Sequence, residues 1–473
     1  MIADLKPYPE YKESGSKWLG SVPMHWEVRK LRTLIRSRNE RNRIDLPLLS
    51  VAREKGVFVR SMTDAEENHN VIPEDLSNYK VARSGNLVIN KMKAWQGSMG
   101  IAPTDGIVSP AYFVYDFKIA DRAFGQTLLR SKPYVAHFGQ ASDGVRVGQW
   151  DLTISGMRQI PVLVPPPSEQ AAIVRFLDWA SGRLDRAIRA KRKVIALLNE
   201  QKQAIIHRAV TRGLDPTVAL KPSGIPWLGD IPEHWDVVPM KGVCSIQSGI
   251  TLGKDYAGQV LREYPYLRVA NVQAGYVNLS VVKTIRVTRV EADRCLLQRG
   301  DVLMTEGGDL DKLGRGCVWD DQVSPCLHQN HVFAVRPNQK RLEPRFFSAL
   351  MGTSYARAYF QSTAKQTTNL AATNKTKLGM FKVLLPRVSE QNQILARLDE
   401  ELQPVNTAIS RLTREIDLLR EYRTRLVADV VTGKLDVREA VSELPEEAVA
   451  DDADDDEVSD SMEDVDGNEP ESD

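Results

Sequence analysis

Histidine and cysteine are the side chains best suited to metal binding or nucleophilic chemistry, and the chain of 473 residues contains only seven and four of them. Cys317, Cys326, His328 and His331 lie close together in the sequence. These residue types suit zinc, but their spacing matches no standard zinc motif, so we predict no metal site. With no CxxC pair, the cysteines are predicted to be free thiols in a reducing compartment.

Other catalytic signatures are incomplete. "SGITLGKDY" (Ser248–Tyr256) has the wrong spacing for a phosphate-binding P-loop, and "TEGGDLDKLGRG" (Thr305–Gly316) lacks its Lys-Ser/Thr pair. The single run of prolines, Pro165–Pro167, lacks the Asn or Asp and the aromatic residue that amino-methyltransferases place against a flipped base. His25 and His234 each precede a tryptophan in a repeated phrase, which favours packing over catalysis. We predict that the chain catalyses nothing by itself.

The elements around these residues occur twice. "WLGSVPMHW" (Trp18–Trp26) returns as "WLGDIPEHW" (Trp227–Trp235), and "VLVPPPSEQAAIVRFLD" (Val162–Asp178) returns as "VLLPRVSEQNQILARLD" (Val383–Asp399). The order of the phrases is the same in both halves, which indicates an internal duplication. We expect the tryptophans of each phrase to pack a globular domain against the following helices.

Apolar residues after each Ser-Glu-Gln phrase recur with alternating spacings of four and three, as in a coiled coil. The two segments are predicted to pair with each other, antiparallel and within one chain, because an isolated helix would leave so narrow a stripe in water. The predicted seam consists of Leu184, Ile188, Ile195, Leu198, Ile205, Val405, Ile409, Leu412, Ile416, Leu419, Leu426 and Val430.

Five residues interrupt this pattern. Gly182 and Pro404 predict a break between a short helix and a long one in each segment. The long helix would span about 40 Å, near one turn of B-DNA at roughly 34–36 Å. Lys191, Lys202 and Arg423 stand on the stripe itself. We interpret them as cations extending from its edge into water, in preference to polar groups that specify the pairing register.

The fold class is therefore predicted as mixed α and β, with two globular domains separated by antiparallel coiled-coil helices and related by pseudo-two-fold symmetry. The predicted segments are an N-terminal repeat element (1–26), a first globular domain (27–165), a first helical spacer (166–213), a linker with the second repeat element (214–235), a second globular domain (236–387), a second helical spacer (388–437) and an acidic disordered tail (438–473).

Charge is distributed unevenly along the chain. No Lys or Arg follows Arg438, whereas 17 of the 62 acidic residues do, so residues 1–438 carry 63 basic and 45 acidic groups, a net charge of +18. A strongly basic body predicts a polyanionic partner, most simply nucleic acid. No run of 18 apolar residues and no signal peptide is present, and we expect a cytoplasmic protein.

The ordered set of phrases resembles the DNA-specificity subunits of type I restriction–modification enzymes, over nearly the whole chain to about Val437. The resemblance rests on both tryptophan phrases, on "PPPSEQ" and "PRVSEQ", on the heptad helices ending "VTRGLD" and "VTGKLD", and on "GDVLMTEGGD…LGRG…LHQNHVFAVR" (Gly300–Arg336). It implies a non-catalytic subunit whose two globular domains, here called the target domains, each read half of a split double-stranded DNA target. The helices would fix the gap between the two halves. It also implies as partners two modification subunits and restriction subunits, which use S-adenosylmethionine, ATP and Mg²⁺.

Base and phosphate contacts should come from Lys, Arg, Asn, Gln and Thr on loops. The predicted DNA-binding residues are Lys91, Lys93, Gln96, Arg146 and Gln149 in the first domain, and Lys312, Arg315, Gln329, Asn330, Lys365, Thr368 and Asn369 in the second. Two alternatives stay open at this point. The chain is a free-standing, repressor-like protein that binds a bipartite site, or it is a coiled-coil scaffold without enzyme partners.

Overall fold

The computed structural model describes residues 5–61, 73, 75–144, 150–225, 227–308, 313–314, 316–366 and 371–445. The chain forms two compact units. Unit 1 contains Met1–Ile188 and Asp417–Asp473, and unit 2 contains Arg189–Ile416. Each unit therefore contains one target domain, the start of one long helix and the end of the other. Among the described residues, no helix has the length and apolar character needed to cross a bilayer.

The described part of unit 1 has fourteen short strands, and most of its helices are short. The strands are β1 (Tyr11–Glu13), β2 (Ser21–Pro23), β3 (Glu27–Lys30), β4 (Ile35–Ser37), β5 (Leu49–Ala52), β6 (Gly56–Val59), β7 (Lys80–Ala82), β8 (Leu87–Asn90), β9 (Met99–Ile101), β10 (Gly106–Val108), β11 (Tyr112–Phe117), β12 (Ser142–Asp143), β13 (Asp151–Leu152) and β14 (Pro161–Val164). The helices are α1 (Leu31–Leu34), α2 (Arg122–Arg130), α3 (Lys132–Gln140), α4 (Ile154–Gln159) and the long α5 (Pro167–Arg212), which continues into unit 2.

Unit 2 has a similar layout. Its strands are β15 (Leu220–Pro222), β16 (Asp230–Pro232), β17 (Asp236–Pro239), β18 (Cys244–Ser248), β19 (Arg262–Leu267), β20 (Lys283–Val287), β21 (Val302–Thr305), β22 (Gly307–Gly308), β23 (Gly316–Val318), β24 (Leu327–His328), β25 (Val332–Pro337), β26 (Lys365–Gln366), β27 (Ala371–Ala372) and β28 (Lys382–Leu385). The remaining helices are α6 (Arg289–Cys295), α7 (Pro344–Met351), α8 (Ser354–Thr363), α9 (Lys375–Met380), α10 (Val388–Val431) and α11 (Arg438–Ser442).

The two target domains share one strand order. The central sheet of unit 1 runs β4-β11-β8-β9, and that of unit 2 runs β18-β25-β21-β23. In each unit the strand after the tryptophan phrase pairs with the strand before the Ser-Glu-Gln phrase, as β3 with β14 and β17 with β28. Gly85–Val88 and Gly300–Leu303 correspond, since they enter β8 and β21, which hold the same place in the two sheets.

Each target domain shares its hydrophobic core with the long helices. In unit 1 the core contains Trp26 together with Phe176 of α5 and Val430 of α10. In unit 2 it contains Trp235 together with Val210 and Ile394. The expected packing of tryptophans against helices is confirmed for these two residues, and Trp18 stacks on His137 of α3. It is wrong for Trp227, whose side chain is 48% exposed.

The predicted breaks in the long helices are wrong. The 46 residues of α5 continue through Gly182, a length of about 69 Å at 1.5 Å per residue, and α10 continues through Pro404. Pro404 is exposed, and it costs the helix a hydrogen bond, about 3 kcal/mol. Its neighbours Leu398 and Val405 are buried on either side of it. Burial of the seam offsets the cost of the proline and the smaller cost of the glycine.

The predicted coiled-coil seam is confirmed, since every one of its positions is buried or half-buried. The stripe cations bond across to the other helix, which contradicts the interpretation that they only extend into water. Lys191 Nζ lies 2.6 Å from Glu415 Oε2 and Lys202 Nζ lies 2.9 Å from Asn406 Oδ1, both within unit 2. In unit 1, Arg423 Nη1 donates to Asp185 Oδ1 at 2.7 Å. One partner's number rises as the other's falls, so the helices are antiparallel.

The predicted start of the disordered tail at residue 438 is also wrong. Helix α11 follows α10 directly, and Val437, Ala440 and Leu444 are buried. Arg175 of α5 donates to the carbonyls of Leu444 and Pro445. An apolar spacing of three and four residues continues past the last basic residue, and it forms one more helical turn against unit 1. The rest of the predicted tail, 446–473, lies outside the described residues.

Candidate nucleic-acid interface

Glu169 of the first Ser-Glu-Gln phrase holds the first tryptophan phrase in place. It is 5% exposed and accepts hydrogen bonds from the Tyr8 hydroxyl (2.5 Å), His25 Nε2 (2.7 Å) and Trp26 Nε1 (3.0 Å). Burial, and then the bond to Glu169, raises the pKa of Tyr8, so its hydroxyl stays protonated and donates. A buried carboxylate is tolerated because its oxygens have three donors. His25 therefore has a packing role, as its repetition predicted, and its bond to Glu169 helps to hold the tryptophan phrase.

Glu390 does the same in unit 2 with fewer partners. It accepts from His234 Nε2 and from Trp235 Nε1, both at 2.9 Å, and its side chain is 26% exposed. The residue matching Tyr8 at the offset of the tryptophan phrases is Thr217. The phrase also contacts the end of the other long helix, because Gly433 follows α10 beside Trp26 and Gly213 follows α5 beside Trp235.

The glutamine of each Ser-Glu-Gln phrase fixes an outer helix of the target domain. Gln170 Oε1 accepts from the amide of Asp121, whose side chain caps α2 through the Phe124 amide. Gln391 Oε1 accepts from the amide of Glu343, whose side chain caps α7 in the same way. The phrase was recognised in the sequence, but the roles of its glutamate and glutamine were missed. The signal that the sequence offered was that both residues recur in the second copy of the phrase, as Glu390 and Gln391.

Two loops meet at one edge of the central sheet in unit 1. We name the segment Lys91–Gly97, which links β8 to β9, the first tip loop. The second tip loop connects β12 to β13. The Leu152 amide donates to the Lys91 carbonyl (2.8 Å), and Lys91 Nζ lies 2.7 Å from Asp151 Oδ2. The rings of Trp95 and Trp150 are 5.5 Å apart. Three predicted residues lie in the first tip loop: Lys91, half-buried and ion-paired; Lys93, exposed; and Gln96, half-buried.

Unit 2 brings the equivalent loops together. The loop after β21 joins the hairpin of β26 and β27 through pairing of Gly307 with Ala372, and the Thr373 amide donates to the Glu306 carbonyl (2.8 Å). Glu306 Oε2 also lies 2.7 Å from His331 Nδ1. This places the turn of Gln329 and Asn330 beside the same edge, with both side chains half-buried, and Lys365 is exposed on β26.

The other predicted contacts fall outside the described residues. They are Arg146, Gln149, Lys312, Arg315, Thr368 and Asn369. In sequence all six belong to the loops whose described ends meet at these two edges. The predictions for the two domains, made separately, thus fall on equivalent loops, and the contacts themselves stay predictions.

Three of the four residues considered above for zinc, Cys317, Cys326 and His328, are buried in the packed interior. Cys317 and Cys326 are each 1% exposed, and burial raises the pKa of both thiols to about 12, which keeps them protonated. His328 is fully buried, its Nδ1 lies 2.6 Å from the Val332 carbonyl, and burial lowers its pKa. In the described part of the chain, no three His, Cys, Asp or Glu side chains are grouped to hold a metal ion.

A groove between target domain and long helices also occurs twice. In unit 1 it measures about 640 Å³ and lies among α2, α3 and the helix residues Ser181, Arg423, Thr424 and Val427. In unit 2 it measures about 870 Å³ and lies among α7, α8 and the helix residues Leu402, Lys202, Gln203 and Ile206. The unit 2 groove is also lined by Asn199, Leu395, Leu398 and Asp399 of the long helices. Each of the four unit 1 helix residues has its duplicate among the lining residues of the unit 2 groove, at the offset of 221 that relates the long helices.

Known proteins match this architecture. Residues 232–416 match the family described as type I restriction modification DNA specificity domain. In sequence, the chain is similar to the specificity subunits of type I restriction enzymes. The putative MjaX specificity subunit of Methanocaldococcus jannaschii is 24% identical over 46% of this chain and 52% of its own length. The EcoKI specificity subunit of Escherichia coli is 23% identical over 70% of this chain and 71% of its own length.

One solved structure has a fold similar to that of this chain. It was described in work on complex assembly and conformational transition of the type I R-M system. It covers 88% of this chain and 99% of its own, at 17% identity and a TM-score of 0.57. The match to the MjaX subunit spans about half of that relative's length. The family match covers the second copy, and the first copy has the same strand order and the same glutamate–tryptophan contact.

Proposed function

We propose that this chain is the DNA-specificity subunit of a type I restriction–modification enzyme, and that it reads a bipartite duplex target with its two target domains. The observation that carries the proposal is the pair of equivalent loop edges, one in each unit, with lysines exposed on both. Relatives named as specificity subunits support the assignment. The excess of 18 positive charges over residues 1–438 supports binding to the DNA backbone.

The duplicated groove is our proposed docking site for two modification subunits. Two equivalent grooves offer the same contacts to two copies of one partner, which is how repeated surfaces bind identical subunits. Restriction subunits would join this assembly. The chemistry that uses S-adenosylmethionine, ATP and Mg²⁺ would belong to these partners in the cytoplasm, and this chain would supply sequence recognition without catalysis.

Loop-edge lysines test the DNA contacts. Lys93→Ala and Lys365→Ala each remove one exposed cation from one edge, so each should weaken binding to the host's methylated motif. The slope of log K against log salt should fall by about 0.9 for each phosphate that the variant no longer neutralises. Lys118 and Lys340 are exposed, lie shortly after the far ends of β11 (Tyr112–Phe117) and β25 (Val332–Pro337), and serve as controls. Equal salt slopes for all four alanine variants would contradict the proposal.

Groove variants test the partners. Thr424→Arg in unit 1 and Gln203→Arg in unit 2 place a large cation in one groove each. Native mass spectrometry of the co-expressed complex should show the number of bound modification subunits fall from two to one in each single variant, and to none in the double variant. Tyr422→Arg and Gln201→Arg, also equivalent to each other and lining neither groove, should leave two bound. A complex that keeps two subunits in the double variant would refute the docking site.

A further inference from the structure

Met92, in the first tip loop, presents an apolar side chain in a polar setting. It is 50% exposed and stands between Lys91 and the exposed Lys93. A single exposed methionine is ordinary on a protein surface. Here, however, the backbone on both sides of the side chain is held. The Met92 amide donates to Asn90 Oδ1 (3.1 Å), and the Met92 carbonyl accepts from Trp95 Nε1 (3.1 Å).

The rest of the first tip loop is equally well fixed. The Lys93 amide donates to the Asn90 carbonyl (3.1 Å), and the Ser98 amide donates to the Lys93 carbonyl (3.2 Å). Gly97 closes the turn at φ +90°, where a Cβ would lie 3.1 Å from Val135 Cγ2. The loop therefore holds the Met92 backbone in one position, so little backbone entropy would be lost when a partner binds to it.

We propose that Met92 makes an apolar contact with a base of the half-site read by unit 1. This inference rests on the proposed function. The uncharged thioether of Met92 cannot neutralise a phosphate, whereas the ammonium group of Lys93 beside it can. Met92 would therefore contact a base, and Lys93 the DNA backbone. Apolar side chains contact bases either at the thymine methyl group or as a wedge between base steps. Trp95 is a positioning residue, because it holds the Met92 carbonyl through Nε1.

The test measures binding of the full-length protein, in its complex, to duplexes that carry the methylated host motif. Met92→Ala should lower cognate affinity by roughly tenfold, the scale of one mismatched base pair. It should leave nonspecific affinity and the salt slope unchanged. Lys93→Ala should do the reverse, lowering both affinities and the slope. Met24→Ala, with a methionine of similar exposure (47%) in unit 1, is the matched control and should change neither.

Two kinds of modified duplex distinguish the forms of the contact. If Met92 touches a thymine methyl, replacing that thymine with uracil should weaken the wild type about as much as Met92→Ala and should not weaken the variant further. If Met92 is a wedge, 2-aminopurine at the contacted step should brighten with the wild type and stay quenched with the variant. Trp95→Phe should reproduce part of the loss, because it removes the bond to the Met92 carbonyl.

Failure of this inference differs from failure of the proposed function. A wild-type complex that prefers no half-site overturns both. A complex that keeps its preference overturns the inference alone if Met92→Ala binds the cognate duplex as tightly as the wild type. The same holds if its loss is equal on cognate and nonspecific DNA. Melting temperatures of Met92→Ala and wild type should agree, because the side chain is half exposed.

Discussion

Asn86 of unit 1 and Asp301 of unit 2 occupy the same turn, immediately after Gly85 and Gly300, whose φ angles are +83° and +89°. Each side-chain oxygen accepts from an amide three residues earlier, at 2.9 Å in unit 1 and 2.8 Å in unit 2. The difference is charge. Asn86 is neutral, whereas Asp301 is a fully buried carboxylate.

Each turn is completed by a different partner. Asp301 receives two hydrogen bonds from Arg336 of β25, at 2.7 and 2.8 Å. In unit 1, Asn86 Nδ2 donates to Asp116 of β11, and the exposed Arg38 neutralises Asp116. Both units keep the backbone frame that carries the tip loops, but the second depends on a buried ion pair where the first has an amide. Residue identity can change at such a position only together with its partner.

Removing the arginine should have the largest effect. Arg336→Met leaves the fully buried Asp301 carboxylate with only a backbone donor, and loss of one partner from a buried pair costs about 3–5 kcal/mol. Urea unfolding followed by fluorescence should show unit 2 of the variant unfolding at a lower urea concentration than unit 1. Arg38→Met is the comparison in unit 1, and it should change little because Arg38 is exposed. Equal losses in both variants would mean that burial of Asp301 does not decide the cost.

The two glutamates of the Ser-Glu-Gln phrases give a second contrast. Glu169→Ala strands the buried Tyr8 hydroxyl and Trp26 indole, at roughly 3 kcal/mol for two donors left unsatisfied. Glu390→Ala strands one buried indole beside a partly exposed site, so roughly 1–2 kcal/mol is expected. Calorimetry of both variants measures the difference. When both variants also carry Tyr8→Phe, the loss from Glu169→Ala should move closer to that from Glu390→Ala, because no Tyr8 hydroxyl is left unsatisfied. A larger loss from Glu390→Ala than from Glu169→Ala would contradict this ranking.

The glycines that end the long helices differ in the space around them. Both have positive φ, +77° at Gly433 and +73° at Gly213. A Cβ on Gly433 would lie 2.5 Å from Pro23 Cδ, whereas on Gly213 the nearest atom is Trp235 Cζ2 at 3.4 Å. Either alanine variant loses roughly 1 kcal/mol to the left-handed backbone, and Gly433→Ala should lose about 1–3 kcal/mol more by overpacking. Thermal melting measures both, and equal losses would show that Pro23 moves aside freely.

The sequence predicted the parts of the fold that follow from periodicity. The seam follows from spacings of four and three, and every one of its positions is buried or half-buried. The antiparallel pairing shows in the bonds that join the two helices. The breaks at Gly182 and Pro404 failed because local helix propensity was weighed without the tertiary burial around it. Helix α11 was missed because the acidic composition of residues 438–473 indicated disorder, although Val437, Ala440 and Leu444 follow a helical spacing. Propensity and charge are local quantities, and packing outweighed both, within unit 1 at Gly182 and α11 and within unit 2 at Pro404.

The candidate site was predicted only in part. Loop residues such as Lys93 and Lys365 were identified by type, because bases and phosphates need donors on loops. Met92, Trp95 and Glu169 were missed. Their roles depend on pairings between residues distant in sequence, such as Glu169 with Tyr8 and Trp95 with Trp150. No spacing rule encodes such pairings, so only the folded chain reveals them.

The smallest expected effect concerns Lys191 and Glu415, whose duplicates at the offset of 221 are the apolar Leu412 and Val194. The bond from Lys191, and then that from Arg411, lowers the pKa of Glu415. A lowered pKa in the folded state means that the pair stabilises the helices above the unfolded value, about 4.3. This stabilisation is lost as the pH falls through the folded value.

Lys191→Met removes the stronger of the two bonds to Glu415 and makes the pair resemble its apolar duplicate. The difference in melting temperature between wild type and variant should therefore shrink as the pH is lowered from about 7 to about 3, because Glu415 becomes neutral in both proteins. Glu415→Gln should show the same convergence. High salt should weaken it, since both side chains are partly exposed, at 28% for Lys191 and 34% for Glu415. A difference that stays constant over this range would assign the contribution of Lys191 to the packing of its methylene chain rather than to its charge.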